Sequence, residues 1–95
     1  MNLPATNMNK VALITGAAKR IGAAIARQLH SQGINIVLHY RHSKDHAQAL
    51  CGELNVQRSN SATALQADLS DIGAINELAS LAQQYWGRVD ILINN

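Results

Sequence analysis

Residues 11–15 form an unbroken apolar run, Val11-Ala12-Leu13-Ile14-Thr15, with no alternation along it. Continuous hydrophobicity of this kind marks a strand covered on both faces, so a central strand of a parallel sheet is predicted. From Arg20 the period changes. Ile21, Ala24, Ile25, Gln28 and Leu29 recur at spacings of three and four, which predicts a helix over 20–32 that buries this face and ends at Gly33 in a left-handed cap. The same alternation then repeats. Ile34 to Tyr40 is rich in β-formers and predicts a second strand, after which Ser43 stands where a hydroxyl can cap a second helix with Ala47, Leu50, Cys51 and Leu54 on its buried face. Residues 55–61 are polar and uneven and predict a loop, and Ala62 to Ala67 predicts a third strand that ends at Asp68. Ser70 or Asp71 opens a third helix, with Ile75, Leu78, Ala79, Ala82 and Trp86 facing the core and Gly87 ending it, and Val89 to Ile93 is the fourth strand.

One helix between each pair of strands requires crossover connections, and these are right-handed in nearly every parallel sheet. The expectation is therefore an α/β fold, a Rossmann-like doubly wound parallel sheet of order β-α-β-α-β-α-β with spatial strand order 3-2-1-4. Residues 10–95 are expected to make this unit, preceded by a flexible amino-terminal tail at residues 1–9. In such a sheet the order of strand addition reverses between the first and fourth strands, which opens a crevice at their carboxyl ends. Gly16, Ala18, Arg20, Asn94 and Asn95 should meet at that rim.

The loop Thr15-Gly16-Ala17-Ala18-Lys19-Arg20-Ile21-Gly22 joins the first strand to the first helix. Backbone amides and the positive end of the helix dipole there can bind a pyrophosphate. Gly16 permits the tight turn, and Gly22 has no side chain to hold the helix away from the sheet. Arg20 stands where the usual dinucleotide fingerprint has a glycine. A cation in the first turn opposes the helix dipole, which argues for a role toward a ligand.

Composition narrows the partners. The chain has 8 Lys and Arg against 6 Asp and Glu, a formal charge of +2, and only 3% aromatic residues. That is too little and too scattered for a nucleic-acid surface. No apolar run reaches the roughly 18 residues of a membrane span, so a cytoplasmic protein without membrane partners is expected. A single cysteine, Cys51, excludes an internal disulfide and a thiolate zinc site, and should pack as a small apolar residue. His39, His42 and His46 have spacings that could pair on a metal, but no carboxylate or thiolate completes a shell, and His39 at a strand end faces differently from the other two.

Thr15-Gly16-x-x-x-Arg20-x-Gly22 resembles the T-G-x-x-x-G-x-G motif of the short-chain dehydrogenase/reductase family, in the variant of pteridine reductases where arginine replaces the central glycine. Leu38-His39-Tyr40-Arg41-His42-Ser43 is similar to the H-Y-x-x-S stretch of those reductases, and Gln66-Ala67-Asp68-Leu69-Ser70 and Ile93-Asn94-Asn95 extend the likeness. It covers Lys10 to Asn95, but only the first part of the family's length. The resemblance implies an NADP(H) cofactor, held by Gly16, Ala18, Lys19, Arg20 and Ile21 at the pyrophosphate and by Tyr40, Arg41, His42 and Ser43 after the second strand. It also implies Asp68 and Leu69 at the adenine, Asn94 on the adenosine ribose side and Asn95 among the cofactor-binding residues, with Arg20 reaching the pterin substrate as well. The residues agree on the cofactor: an acid after the second strand would accept from a 2′-hydroxyl, whereas Arg41, His42, Ser43 and Lys44 suit a 2′-phosphate. Ser43 capping a helix and Arg41 as a solvated charge are the plainer uses of the same residues.

The family's proton donor is a tyrosine assisted by a lysine in Y-x-x-x-K. Tyr40 and Lys44 match those letters but sit in the adenosine-side loop, and Tyr85 is followed four positions on by Val89. The chain is therefore expected to be the cofactor-binding portion of a reductase of dihydropterin or dihydrofolate, itself inactive. A reductase of 3-oxoacyl thioesters or other carbonyls is the alternative, and a non-catalytic nucleotide-binding or association module the reading from another class. Ile91-Leu92-Ile93 with an open edge and no proline is a template for self-association, so a homo-oligomer is expected.

Overall fold

A computed structural model describes residues 9–70 and 72–95. The elements are β1 (Val11–Ile14), α1 (Arg20–Ser31), β2 (Asn35–Tyr40), α2 (Lys44–Gln57), β3 (Ala62–Gln66), α3 (Ile72–Trp86) and β4 (Ile91–Ile93). All strand pairings are parallel and the sheet order is β3-β2-β1-β4, the 3-2-1-4 order expected from the crossovers. Most of the predicted tail, residues 1–8, and the candidate helix start Asp71 lie outside the described residues.

The unbroken run at β1 is explained by its position, because all four residues are buried and adjacent ones face opposite layers. Ala12 and Ile14 join Ile36, Leu38, Leu50 and Leu54 on the side of α1 and α2. Val11 and Leu13 join Val37, Leu78 and Ala82 on the side of α3. Cys51 packs at the margin of the first cluster, as expected of a small apolar residue, and burial pushes its thiol pKa up.

Three local expectations are corrected. The buried face of α1 is Gly22, Ala23, Ala26 and His30, with Ile25 and Leu29 partly buried, whereas Ile21 is 69% exposed and Ala24 and Gln28 lie outside. Small residues let the helix axis approach the sheet closely, and the larger side chains then flank the contact. The second helix runs on to Gln57, through part of the expected loop. Its polar end is satisfied internally: Asn55 Nδ2 donates to the Ala62 carbonyl at 2.9 Å, and its Oδ1 accepts from Ser61 N–H at 2.9 Å and Ala62 N–H at 3.0 Å. The fourth strand is shorter than expected. Asp90 leads into it, its N–H bonded to the Val11 carbonyl at 2.8 Å and its carboxylate accepting from Val11 N–H at 2.9 Å. The Arg88 guanidinium beside that carboxylate, together with the Val11 amide, holds its pKa below the usual value.

At the amino-terminal end of the sheet, His30 is buried with Nε2 2.7 Å from Ser61 Oγ, and Arg58 donates to the His30 and Ile34 carbonyls at 2.9 Å each. Burial, and secondarily the Arg58 charge, lower the His30 pKa from its ordinary 6.5. The unfolded chain then binds a proton at a higher pH than the folded one, so stability falls as pH drops below about 6.5 until the folded-state value is passed. Urea midpoints at pH 7.5 and 5.5 should show this decrease, and His30→Gln should flatten it. An unchanged decrease in the variant would assign it to another group.

Candidate functional site

The carboxyl ends of the four strands gather the sequence-predicted site residues. After β1 the backbone turns at Gly16, whose φ of 58° is in the left-handed region that glycine adopts without strain. Three successive amides of this turn are used internally: Thr15 N–H on the Ile93 carbonyl at 3.0 Å, Gly16 N–H on His39 Nδ1 at 3.0 Å, and Ala17 N–H on the His39 carbonyl at 2.9 Å. The next two, Ala18 and Lys19 N–H, make no hydrogen bond within the described chain. Helix α1 begins there without a side-chain cap and with no acid in its first turn. Its positive end is therefore open to an anion. Arg20 has φ 55°. The backbone thus keeps the conformation for which the fingerprint uses glycine, at a cost of about 1–2 kcal/mol for a side-chain-bearing residue.

Gly22 is required for a different reason from the one the sequence suggests. A Cβ placed on it meets not the sheet but the Gly16 carbonyl, the Ala17 Cα at 2.9 Å and the Asn95 side chain at 2.8 Å. The missing side chain makes room for the phosphate-facing turn itself.

Three adjoining hollows open at this rim. One, of about 260 Å³, lies between the turn (Gly16, Ala18, Lys19) and the segment Tyr40, Arg41, His42 and Ser43. A second, of about 410 Å³, continues past Lys19, His42 and Ser43 to Lys44, Asp45 and His46 at the start of α2. The third, of about 470 Å³, is bounded by Gly16, Lys19, Arg20, Ile21 and Asn95. Ser43 occupies the N-cap position of α2, but its side chain makes no capping hydrogen bond. The hydroxyl expected to cap is not spent on the helix, and a second uncapped helix start faces the same groove. The exposure of Ile21, which contradicts its assignment to the core, places it on the wall of the third hollow.

The remaining candidates divide. Asn95 lines the third hollow and donates from Nδ2 to the Gly16 carbonyl at 3.2 Å. Asn94 does not line the hollows: its Oδ1 accepts from Thr15 Oγ1 at 3.1 Å, while Asn95 N–H donates to the same hydroxyl at 3.0 Å. The pair therefore fixes the end of β4 to the turn after β1. Asp68 stands apart from the three hollows and pairs with Arg41 at 3.4 Å, both side chains more than half exposed. An ion pair so exposed contributes little stability and yields readily to a competing anion. Leu69 packs its side chain against the α3-side core.

His39 is the residue that the sequence analysis undervalued. It is buried, with Nδ1 on Gly16 N–H and Nε2 2.8 Å from the Ala67 carbonyl. Both ring nitrogens are spent on backbone. Among the described residues no group of three His, Cys, Asp or Glu converges as a metal site would. A polar residue at an inward position of an otherwise apolar strand was the signal available. No described helix is long and apolar enough to cross a membrane.

The site therefore combines unengaged amides at an uncapped helix start with a cradle that a single Cβ would fill. Basic and hydroxyl side chains follow the second strand, a donor set that fits a dinucleotide phosphate. The chain belongs to the short chain dehydrogenase family, whose pattern it matches over residues 10–95. It is 39% identical over 102 residues to pteridine reductase 1 of Leishmania tarentolae, covering 90% of this chain and 35% of that protein. It is equally 39% identical over 88 residues to a 3-oxoacyl-(acyl-carrier-protein) reductase of Staphylococcus epidermidis, covering 93% and 36%. Elsinochrome reductase 1 of Elsinoe fawcettii is 40% identical over 86 residues, covering 90% and 32%. The chain thus spans about a third of the length of the curated relatives it matches. Family membership implies a nicotinamide dinucleotide cofactor.

Proposed function

We propose that this chain is the cofactor-binding portion of an NADPH-dependent reductase whose intact form reduces a dihydropterin or dihydrofolate. The observation that carries the cofactor choice is the groove at Arg41, His42 and Ser43, where no carboxylate stands between Leu38 and Lys44. Ala18 and Lys19 amides and the start of α1 bind the pyrophosphate, Arg41 and the free Ser43 hydroxyl take the 2′-phosphate, and Asp68 and the Leu69 backbone border the adenine. Bound there, the nicotinamide supplies the hydride. Arg20, on the wall of the third hollow, extends from the phosphates toward the substrate. No residue of this chain is assigned a catalytic role: Tyr40 lines the adenosine-side groove and not the third hollow.

Equal identity to the staphylococcal enzyme supports a second reading, reduction of a 3-oxoacyl thioester. The two separate on substrate. The intact protein with NADPH should turn over dihydropterin with a kcat/KM at least about tenfold above that for a 3-oxoacyl thioester, because a site built to pair a ring's polar edge discriminates strongly against ligands that leave it unpaired. Arg20→Ala should raise KM for the pterin. Preference for the thioester would transfer the protein to the second reading.

A further inference from the structure

We infer that His39 is a positioning residue that sets the phosphate-binding turn, and with it cofactor affinity, without touching the ligand. The inference rests on the nucleotide-binding reading above. Residue 39 takes two successive amides of the turn, Gly16 by its ring and Ala17 by its carbonyl. That arrangement commits these two N–H groups inward and leaves Ala18 and Lys19 as the first amides available to a phosphate. A ring nitrogen accepts a hydrogen bond only when it carries no proton, so Nδ1 is bare and Nε2 carries the hydrogen donated to the Ala67 carbonyl. Only the neutral imidazole with its proton on Nε2 satisfies both contacts. The residue is only 5% exposed, so solvent does not readily replace either partner if it is lost.

The same ring joins three strand ends that the proposed site draws on. It belongs to β2, just before Tyr40 and Arg41; it holds the turn after β1; and it grips Ala67, the residue before Asp68. The pyrophosphate turn is thereby held at a fixed distance from the segment proposed to read the 2′-phosphate.

The test titrates the intact protein, as wild type and with His39→Gln, His39→Leu and His39→Asn, with NADPH and with adenosine 2′-phosphate, which has no pyrophosphate. Asn places an oxygen at about the distance of Nδ1 from the backbone and keeps an acceptor for Gly16, whereas the Gln amide lies one carbon farther out, at about the reach of Nε2, and Leu has no acceptor. NADPH affinity should fall about tenfold in the Gln and Leu variants and stay within about threefold of wild type in Asn, with adenosine 2′-phosphate within about threefold in all of them. Gln or Leu variants that bind NADPH as tightly as wild type would overturn the role of His39 while leaving the nucleotide reading intact. Parallel losses for both ligands in all three variants, following their melting temperatures, would reduce His39 to a general structural residue. Wild-type protein that binds neither ligand would overturn the nucleotide reading, and this inference with it.

Discussion

Gly22→Ala is expected to destabilise the fold by about 2 kcal/mol, because overpacking a closed contact costs roughly that much when the neighbours cannot rotate away. The added methyl would meet the Gly16 carbonyl and the Ala17 Cα, both backbone, as well as Asn95 Nδ2. Relief requires moving the turn that presents the Ala18 and Lys19 amides, so NADPH affinity should fall by more than about tenfold in protein that remains folded. Gly52→Ala is the control. It lies inside α2 with nothing within 4 Å of its added methyl, and it should stabilise by about 0.5–1 kcal/mol without changing affinity. Urea unfolding of the two variants checks the stabilities. Equal effects would mean that the contact at Gly22 is not the closed one described.

Arg41→Asp is expected to invert the cofactor preference. Arg41 now meets Asp68 at 3.4 Å in an exposed pair that a phosphate can displace. Its guanidinium offers parallel N–H donors to phosphate oxygens, and charge-assisted bonds of that kind are worth about 1.5–3 kcal/mol. Replacing it with a carboxylate removes that gain, repels a 2′-phosphate and supplies an acceptor for a 2′-hydroxyl. NADPH affinity should fall by about a hundredfold, whereas NADH affinity should rise, both most strongly at low salt. Arg41→Ala should weaken NADPH alone. A variant that loses both cofactors alike would show that Arg41 acts through the fold.

The strand order and the turn after β1 were legible because their signals are coarse. A fully buried parallel strand needs an unbroken apolar run, and Val11 to Ile14 supplies one. The helix faces were less so. Hydrophobicity ranks Ile21 above Gly22 and Ala23, but the distance between α1 and the sheet is set by the smallest side chains, so the core takes Ala23 and Ala26 while Gly22 closes against the turn after β1. The extent of α2 was hidden because Asn55 reads as a loop residue until its amide is seen bonded to the start of β3. Gly16, Lys19, Arg41 and Ser43 line one hollow because they follow β1 and β2, whose ends the apolar runs already marked. The bonds of His39 to the Gly16 amide and the Ala67 carbonyl, and of Asn94 to Thr15, were not legible, since they join residues far apart in the sequence.

Binding of an NADP-type cofactor is the claim on which the other assignments depend. Calorimetric titration of the intact wild-type protein with NADPH and NADH at matched salt tests it most directly. NADPH should bind at least about tenfold more tightly than NADH, the share expected from the proposed 2′-phosphate contacts of Arg41 and Ser43. Equal affinities, or tighter binding of NADH, would contradict it.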